Sequence, residues 1–200
     1  MAVAIAHEKE NIVAALADLC MKQRIKTLIQ VGAGDGFEAY VMQMRSNCRA
    51  IAIEGNRNMA SINPNLEFHH GIIGSMDCGA MFYVHQNPGL SGLIPRADGH
   101  ETPFTTLQQR LDTWCRLHGG IQPDALIIDT EGTTFGVLEG CGDLLDGVNV
   151  VYAECQTAIL RPGMSLLKEV DSLLVARGMT RHEGLPSYDE GTQGNYTWVR

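Results

Sequence analysis

The sequence predicts a doubly wound α/β fold: a right-handed, mostly parallel sheet with helices on both faces. Three observations carry this. Short apolar runs of strand length alternate with segments of helical period, a glycine-rich turn follows the first run, and several runs end in an acid. In such a sheet ligands bind outside the carboxyl ends of the strands, which is where those acids fall.

The first element is a helix over about residues 8–23, because Ile12, Leu16, Leu19 and Cys20 recur at helical spacing beside Val13. Thr27 to Val31 reads as a buried strand stopped by Gly32-Ala33-Gly34-Asp35-Gly36, and a helix is expected near Phe37 to Arg45. Ala50 to Glu54 is a second strand and Leu66 to Ile73 a third, with a helical turn expected between Gly55 and Pro64. Residues 76–104 contain Asn87-Pro88-Gly89, Ser91-Gly92, Pro95, Asp98-Gly99 and Pro103, and read as a long loop-rich insertion. Thr105 and Thr106 are N-cap candidates for a helix whose face is Leu107, Leu111, Trp114, Cys115 and His118, ended by Gly119-Gly120. Asp124 to Asp129 and Val148 to Ala153 are central strands, leading into Asp129 and Glu154. Leu166, Leu167, Val170, Leu173 and Leu174 form a helical stripe closed by Arg177-Gly178, and Met179 to His182 and Tyr196 to Val199 finish the sheet. With no repeat or linker, the 200 residues are expected to form one domain: an N-terminal helix (1–25), a cofactor-binding core (26–160), and a closing helix and strands (161–200).

Composition narrows the function classes. Hydrophobic residues at 44% against 19% charged support a packed core. A net charge of −8 without a basic block lacks the counterion-release footprint of a nucleic-acid binder. No apolar run approaches the roughly 20 residues of a membrane span, and His7 to Glu10 interrupt any secretory-type stretch, so a soluble, cytoplasmic protein is expected. The six cysteines include no CxxC pair and read as buried reduced thiols. His69 and His70 would point to opposite faces of a strand, and no metal site is expected.

A glycine-rich turn after a strand has a bland reading, a sharp bend, and a functional one. Glu54 favours the functional one, since a carboxylate closing the second strand accepts both hydroxyls of a ribose. A dinucleotide loop needs a third glycine where this chain has Phe37, and Asp35 in the loop would repel a pyrophosphate. S-adenosylmethionine, with its sulfonium and ammonium, suits the loop better than NAD.

LIQVGAGDG, IAIEGN, TTLQQRLDTW, ALIIDTEGTTFGVLEG and VVYAEC, in this order between Leu28 and about Gln156, resemble the FkbM family of S-adenosylmethionine-dependent methyltransferases. The resemblance implies a class I methyltransferase-like fold whose last strand, within Asn195 to Arg200, runs antiparallel. It implies that Gly32, Ala33 and Gly34 approach the methionine part of the cofactor, that Glu54 holds the ribose, and that Gly74 and Asp77 line the adenine. Asp129, Glu131 and Glu154 fall near the acceptor as catalytic candidates, with His85 as a further base. The chain also departs from the family: Gln30 replaces the usual Asp that receives the cofactor's ammonium, a charge Asp35 is placed to restore. Ile127 and Thr134 stand where Lys and Glu are common.

Each acid keeps a structural reading: Asp129 as a cap of the following turn, Glu131 as a favourable charge at a helix N-terminus, Glu154 as a solvent-facing strand end. The insertion, together with Leu185 to Gly194 (including Pro186, Tyr188, Asp189, Glu190 and Gly191), is expected to form an acceptor lid or merely to cover a sheet edge. The leading expectation is O-methylation of a hydroxyl on a small molecule or sugar. A catalytically silent cofactor-binding module and an NAD-dependent oxidoreductase are the alternatives.

Overall fold

The computed structural model describes residues 2–185 and 191–200. Its elements are α1 (Ala2–Lys22), β1 (Thr27–Val31), α2 (Phe37–Ser46), β2 (Arg49–Glu54), β3 (Glu67–His70), β4 (Ile72–Ile73), β5 (Cys78–His85) and β6 (Glu101–Gln109). There follow α3 (Leu111–Leu117), β7 (Ala125–Ile128), α4 (Thr134–Cys141), β8 (Val150–Gln156), α5 (Leu167–Ala176), β9 (Thr180–Arg181) and β10 (Gln193–Val199). Among the described residues, seven strands form one sheet in the order β3-β2-β1-β7-β8-β10-β9. The strands from β3 to β8 are parallel, and β10 runs antiparallel to both β8 and β9. The chain thus has the α/β, class I methyltransferase-like architecture expected, with its antiparallel closing strand.

The two-residue period of the strands builds both sides of the core. Ile29, Val31, Ile51, Ile53, Leu126, Ile128, Val151 and Ala153 face α3, α4 and α5, where Trp114, Leu138 and Leu174 meet them. Leu28, Ala50, Ala52, Ala125, Ile127, Val150 and Tyr152 face α1 and α2, against Leu16 and Met42. Strands buried on both faces have no polar alternation, which explains why they stand out in the sequence as unbroken apolar runs.

Four expectations need correction. Residues 76–104 are not mainly loop: β5 and β6 pair antiparallel from Cys78↔Gln108 to His85↔Glu101 and form a second sheet with β4, in the order β4-β6-β5. The helix expected from Thr105 begins only at Leu111, because β-branched Thr105 and Thr106 pair with Met81 and Ala80 and leave Leu107 73% exposed. The third strand is cut at Gly71, so Glu67–His70 stays in the main sheet while Ile72–Ile73 joins the second. The segment between Gly55 and Pro64 carries turns and no helix.

Cys20, Cys48, Cys115, Cys141 and Cys155 are buried free thiols, and Cys78 is exposed. Burial pushes the thiols of Cys20, Cys115 and Cys141 up to about 12, so they pack as small hydrophobes. No helix among the described residues is long and apolar enough to cross a membrane. Pro186, Tyr188, Asp189 and Glu190 of the expected lid lie outside the described residues.

Candidate active site

The loop after β1 is built to lie close to the end of β7. Gly32 has φ +73°, and a Cβ there would stand 1.7 Å from the Asp129 carbonyl oxygen, so only glycine fits. The amides of Gly32 and Ala33 donate to Ile53 O at 3.0 and 3.2 Å, which pins the loop to β2 as well. The loop then opens α2, whose first-turn amides need partners. Asp35 Oδ1 accepts from Phe37 N at 3.1 Å, and Gln30 Oε1 accepts from Ala39 N at 2.9 Å.

The cleft in front of this loop has a volume of about 280 Å³. Gln30, Gly32, Ala33, Gly34, Asp35 and Glu54 line it, and so do Asp129 and Glu131, which the sequence analysis put near the acceptor. Glu54 is 7% exposed and accepts the Gly34 amide on Oε2 at 2.7 Å and the Asn56 amide on Oε1 at 2.6 Å. Burial pushes its carboxyl above the usual range, with the Asn56 and Gly34 amides pulling the other way. Two oxygens fixed by N–H donors still offer lone pairs toward the cleft.

Gly74 and Asp77 are not brought to this cleft. Gly74 borders a separate groove with Gln108 and Phe135. Asp77 accepts from Arg110 N at 2.9 Å and Thr113 Oγ1 at 2.8 Å, and so is tied to the start of α3. In their place Gly55, Gly71, Ile72, Ile73 and Phe82 form an apolar wall, and a Cβ on Gly55 would strike the Phe82 ring at 2.7 Å. Phe82 comes from β5, so the insertion completes this cleft, with Ser91, Gly92 and Leu93 on its rim. Ser91 Oγ accepts from Asn56 Nδ2 at 3.3 Å, tying the rim to the residue that holds Glu54. Sequence reasoning missed these residues because the strand carrying Phe82 was hidden among turn signals.

A second cavity of about 210 Å³ lies over the ends of β7 and β8, lined by Ile12, Val13, Ile127, Tyr152, Glu154 and Asn195. Gln30, Glu38 and Asp129 line both cavities and so mark their junction. Glu38, unremarked in the sequence, is found there because Gln30 Nε2 donates to its Oε2 at 2.9 Å. Burial first, then the charges of Glu38, Asp129 and Glu154, push the Tyr152 phenol up, so at neutral pH it is a hydrogen-bond donor. Thr134 is buried and donates to the Glu154 carbonyl at 2.7 Å, and Ile127 packs in the core, which is what occupies these two departing positions.

Glu131 is differently placed. Its backbone has φ +52°, and its Oε2 accepts from Arg96 of the insertion and from Arg161 Nη2 at 3.4 Å. Arg161 Nη1 also donates to Ile94 O at 3.0 Å. This carboxylate clamps the β5–β6 connection over the cleft. His85 lies outside both cavity linings, its Nδ1 near Asn87 and its Nε2 3.1 Å from Asp98 Oδ2. Among the described residues no group of three or more metal-ligating side chains is assembled.

A family model described as Methyltransferase FkbM domain matches residues 30–181. Among curated proteins none matches the chain significantly. Magnesium protoporphyrin IX methyltransferase from Synechocystis, solved with S-adenosylhomocysteine, is 10% identical with TM-score 0.52, over 98% of this chain and 84% of that one. The O-methyltransferase TomG from Streptomyces achromogenes is 14% identical with TM-score 0.51, over 94% of this chain and 78% of that one. An O-methyltransferase family protein from Burkholderia thailandensis is 10% identical with TM-score 0.49; the match takes in 96% of this chain but spans only 55% of that longer one.

Proposed function

The chain belongs to the methyltransferase FkbM domain family, and from that premise we propose that it methylates a hydroxyl of a small molecule or sugar, using S-adenosylmethionine. The observation that carries this reading is the pair of cavities that share Gln30, Glu38 and Asp129. One is organised around the glycine loop and Glu54; the other lies over the ends of β7 and β8.

The residues of the first cleft fit the cofactor. Glu54 offers acceptor lone pairs to a ribose, and Ile72, Ile73 and Phe82 offer an apolar face to an adenine. Thr130 lines the same cleft, and its hydroxyl is buried without a partner among the described residues. When bound, the cofactor supplies an electrophilic methyl group on a sulfonium. The chain's own contribution is alignment of the acceptor, which can be worth on the order of 7 to 11 kcal/mol. Ile12, Val13 and Ile127 exclude water from the second cavity, while the Tyr152 hydroxyl and the Asn195 amide orient a polar acceptor. The Asp129 carboxylate takes the proton of the acceptor hydroxyl. Its place at the junction favours it over Glu131, which serves as the clamp.

The test is calorimetric titration with S-adenosylmethionine, followed by transfer of labelled methyl to a panel of hydroxyl, amine and carboxyl acceptors. Micromolar binding and transfer to hydroxyls support the reading. Transfer confined to nitrogen or carboxyl acceptors removes O-methylation, and binding with no transfer to any acceptor favours the silent module.

A further inference from the structure

We infer that Tyr152 sets the acceptor class: its phenol donates a hydrogen bond to a second oxygen of the acceptor, so the cavity over the ends of β7 and β8 takes a ring-sized molecule with two neighbouring oxygens in preference to a simple alcohol. The inference rests on the reading of that cavity as the acceptor site and adds to it the group that selects the acceptor. Tyr152 is 8% exposed and lines the cavity. A buried phenol ordinarily finds a partner, yet this one makes no hydrogen bond among the described residues. Nor is its oxygen sealed in the core, since the fully enclosed partnerless side-chain atoms among the described residues are Glu101 Oε1, Thr130 Oγ1 and Gln156 Oε1. The Tyr152 hydroxyl is therefore an uncommitted donor that opens onto the cavity.

The sheet sets what stands around it. Tyr152 pairs with Ile127 of β7 and with Thr197 of β10. Asp129 lies two residues beyond Ile127 and Glu154 two beyond Tyr152, so the two-residue period brings the phenol and both carboxylates to one cavity, which all three line. Burial and the charges of Glu38, Asp129 and Glu154 keep the phenol protonated. An ionised carboxylate only accepts, whereas the phenol has a hydrogen to give. The two groups therefore divide an acceptor between them: Asp129 meets the hydroxyl to be methylated, and Tyr152 meets the lone pair of an oxygen beside it. The cavity of about 210 Å³ has roughly the volume of seven waters. Ile12, Val13 and Ile127 wall it with apolar surface, which leaves room for one small ring.

The experiment uses the full chain saturated with S-adenosylhomocysteine and isotope-labelled in its tyrosine rings, the Tyr152 NMR signal being the one lost in Tyr152→Phe. Three probes of similar size are titrated: cyclohexanol, cyclohexane-1,2-diol, and tetrahydropyran-3-ol, whose ring oxygen can only accept. Wild type is expected to bind the last two about three- to tenfold more tightly than cyclohexanol, as for one neutral hydrogen bond, with both moving the Tyr152 signal. Tyr152→Phe is expected to level the three while binding S-adenosylhomocysteine as wild type does, and its Tm should be no lower, because the hydroxyl removed has no partner to lose. A phenol that only supported the fold would give the reverse, a lowered Tm and an unchanged preference, and that result overturns the inference. The comparison within the wild-type protein needs no variant, and equal binding of the three probes there also overturns it. So does tetrahydropyran-3-ol binding no better than cyclohexanol, since the second oxygen would then be wanted as a donor to a carboxylate, and so does a protein that takes up S-adenosylhomocysteine but none of the probes. A protein that does not bind S-adenosylhomocysteine overturns the cofactor reading itself, a result distinct from these.

Discussion

Replacing Gly32 by alanine sets two costs in one place, and Gly34 separates them. At Gly32 the added methyl has to accept φ +73° and would sit 1.7 Å from the Asp129 carbonyl oxygen, a backbone atom that no side-chain rotation clears. At Gly34 φ is +57° and nothing lies within 4 Å of the new Cβ. The left-handed backbone costs about 1 to 2 kcal/mol, and forcing apart packed groups adds about 1 to 3 kcal/mol. Gly32→Ala is thus expected to lose about 2 to 5 kcal/mol and Gly34→Ala about 1 to 2. With roughly 2 to 4 °C of Tm per kcal/mol for a domain of this size, thermal unfolding should separate the variants by several degrees. The Gly32 variant should also lose turnover, since the peptide it displaces carries Asp129. Equal Tm values for the two variants would refute the close approach of loop and strand from which the cleft has been built.

Three further outcomes follow from the site. Cofactor affinity should fall as pH is lowered, because a ribose-accepting Glu54 must be ionised and burial raises its pKa. The midpoint should lie above the usual glutamate range and vanish in Glu54→Gln, as read by calorimetry across pH. The stability sign is opposite: with the folded pKa raised, this group's contribution is full below the unfolded value and is lost as pH rises through the folded one, as read by denaturant unfolding across pH. Arg96→Ala should free the β5–β6 connection from Glu131, giving faster proteolysis near residues 86–100 and cofactor binding weaker by about tenfold, as expected for one charged hydrogen bond. Asp129→Asn should cut methyl transfer by about 10²- to 10⁴-fold with cofactor affinity nearly unchanged, as read by labelled transfer and calorimetry.

What the sequence made legible is what repeats along a strand. β1, β2, β7 and β8 are apolar on both faces, so each announced itself, and the acids at their ends marked the edge where the site lies. The β5–β6 hairpin is exposed along much of its length, and its strands contain Gly79 and Pro103. Its Thr-Thr-Leu-Gln-Gln segment matches helix-start chemistry equally well. Only the pairing of Thr105 with Met81 and Thr106 with Ala80 decides between them, and that information lies in a partner strand about 25 residues away. The same hairpin supplies Phe82, so the wall of the cleft was lost with it. Glu38 was invisible for another reason: a glutamate in the first turn of a helix is ordinary, and only the orientation of the Gln30 amide singles it out.

The acids named from the sequence were alike there, and the structure divides their chemistry by what occupies their lone pairs. Glu54 is held by the Gly34 and Asn56 amides, which set it up as an acceptor for hydroxyl donors. Glu131 faces the Arg96 and Arg161 guanidiniums, which tie it to the β5–β6 connection, so its use is mechanical. Asp129 reaches both cavities from a peptide whose N–H donates to the Val31 carbonyl at 2.9 Å, so its backbone is fixed by the sheet. A base for an alcohol has to be placed within reach of the proton before its pKa matters. Of the three, Asp129 alone lines both the cleft around the glycine loop and the cavity over the ends of β7 and β8, and on that ground we propose it for the proton transfer.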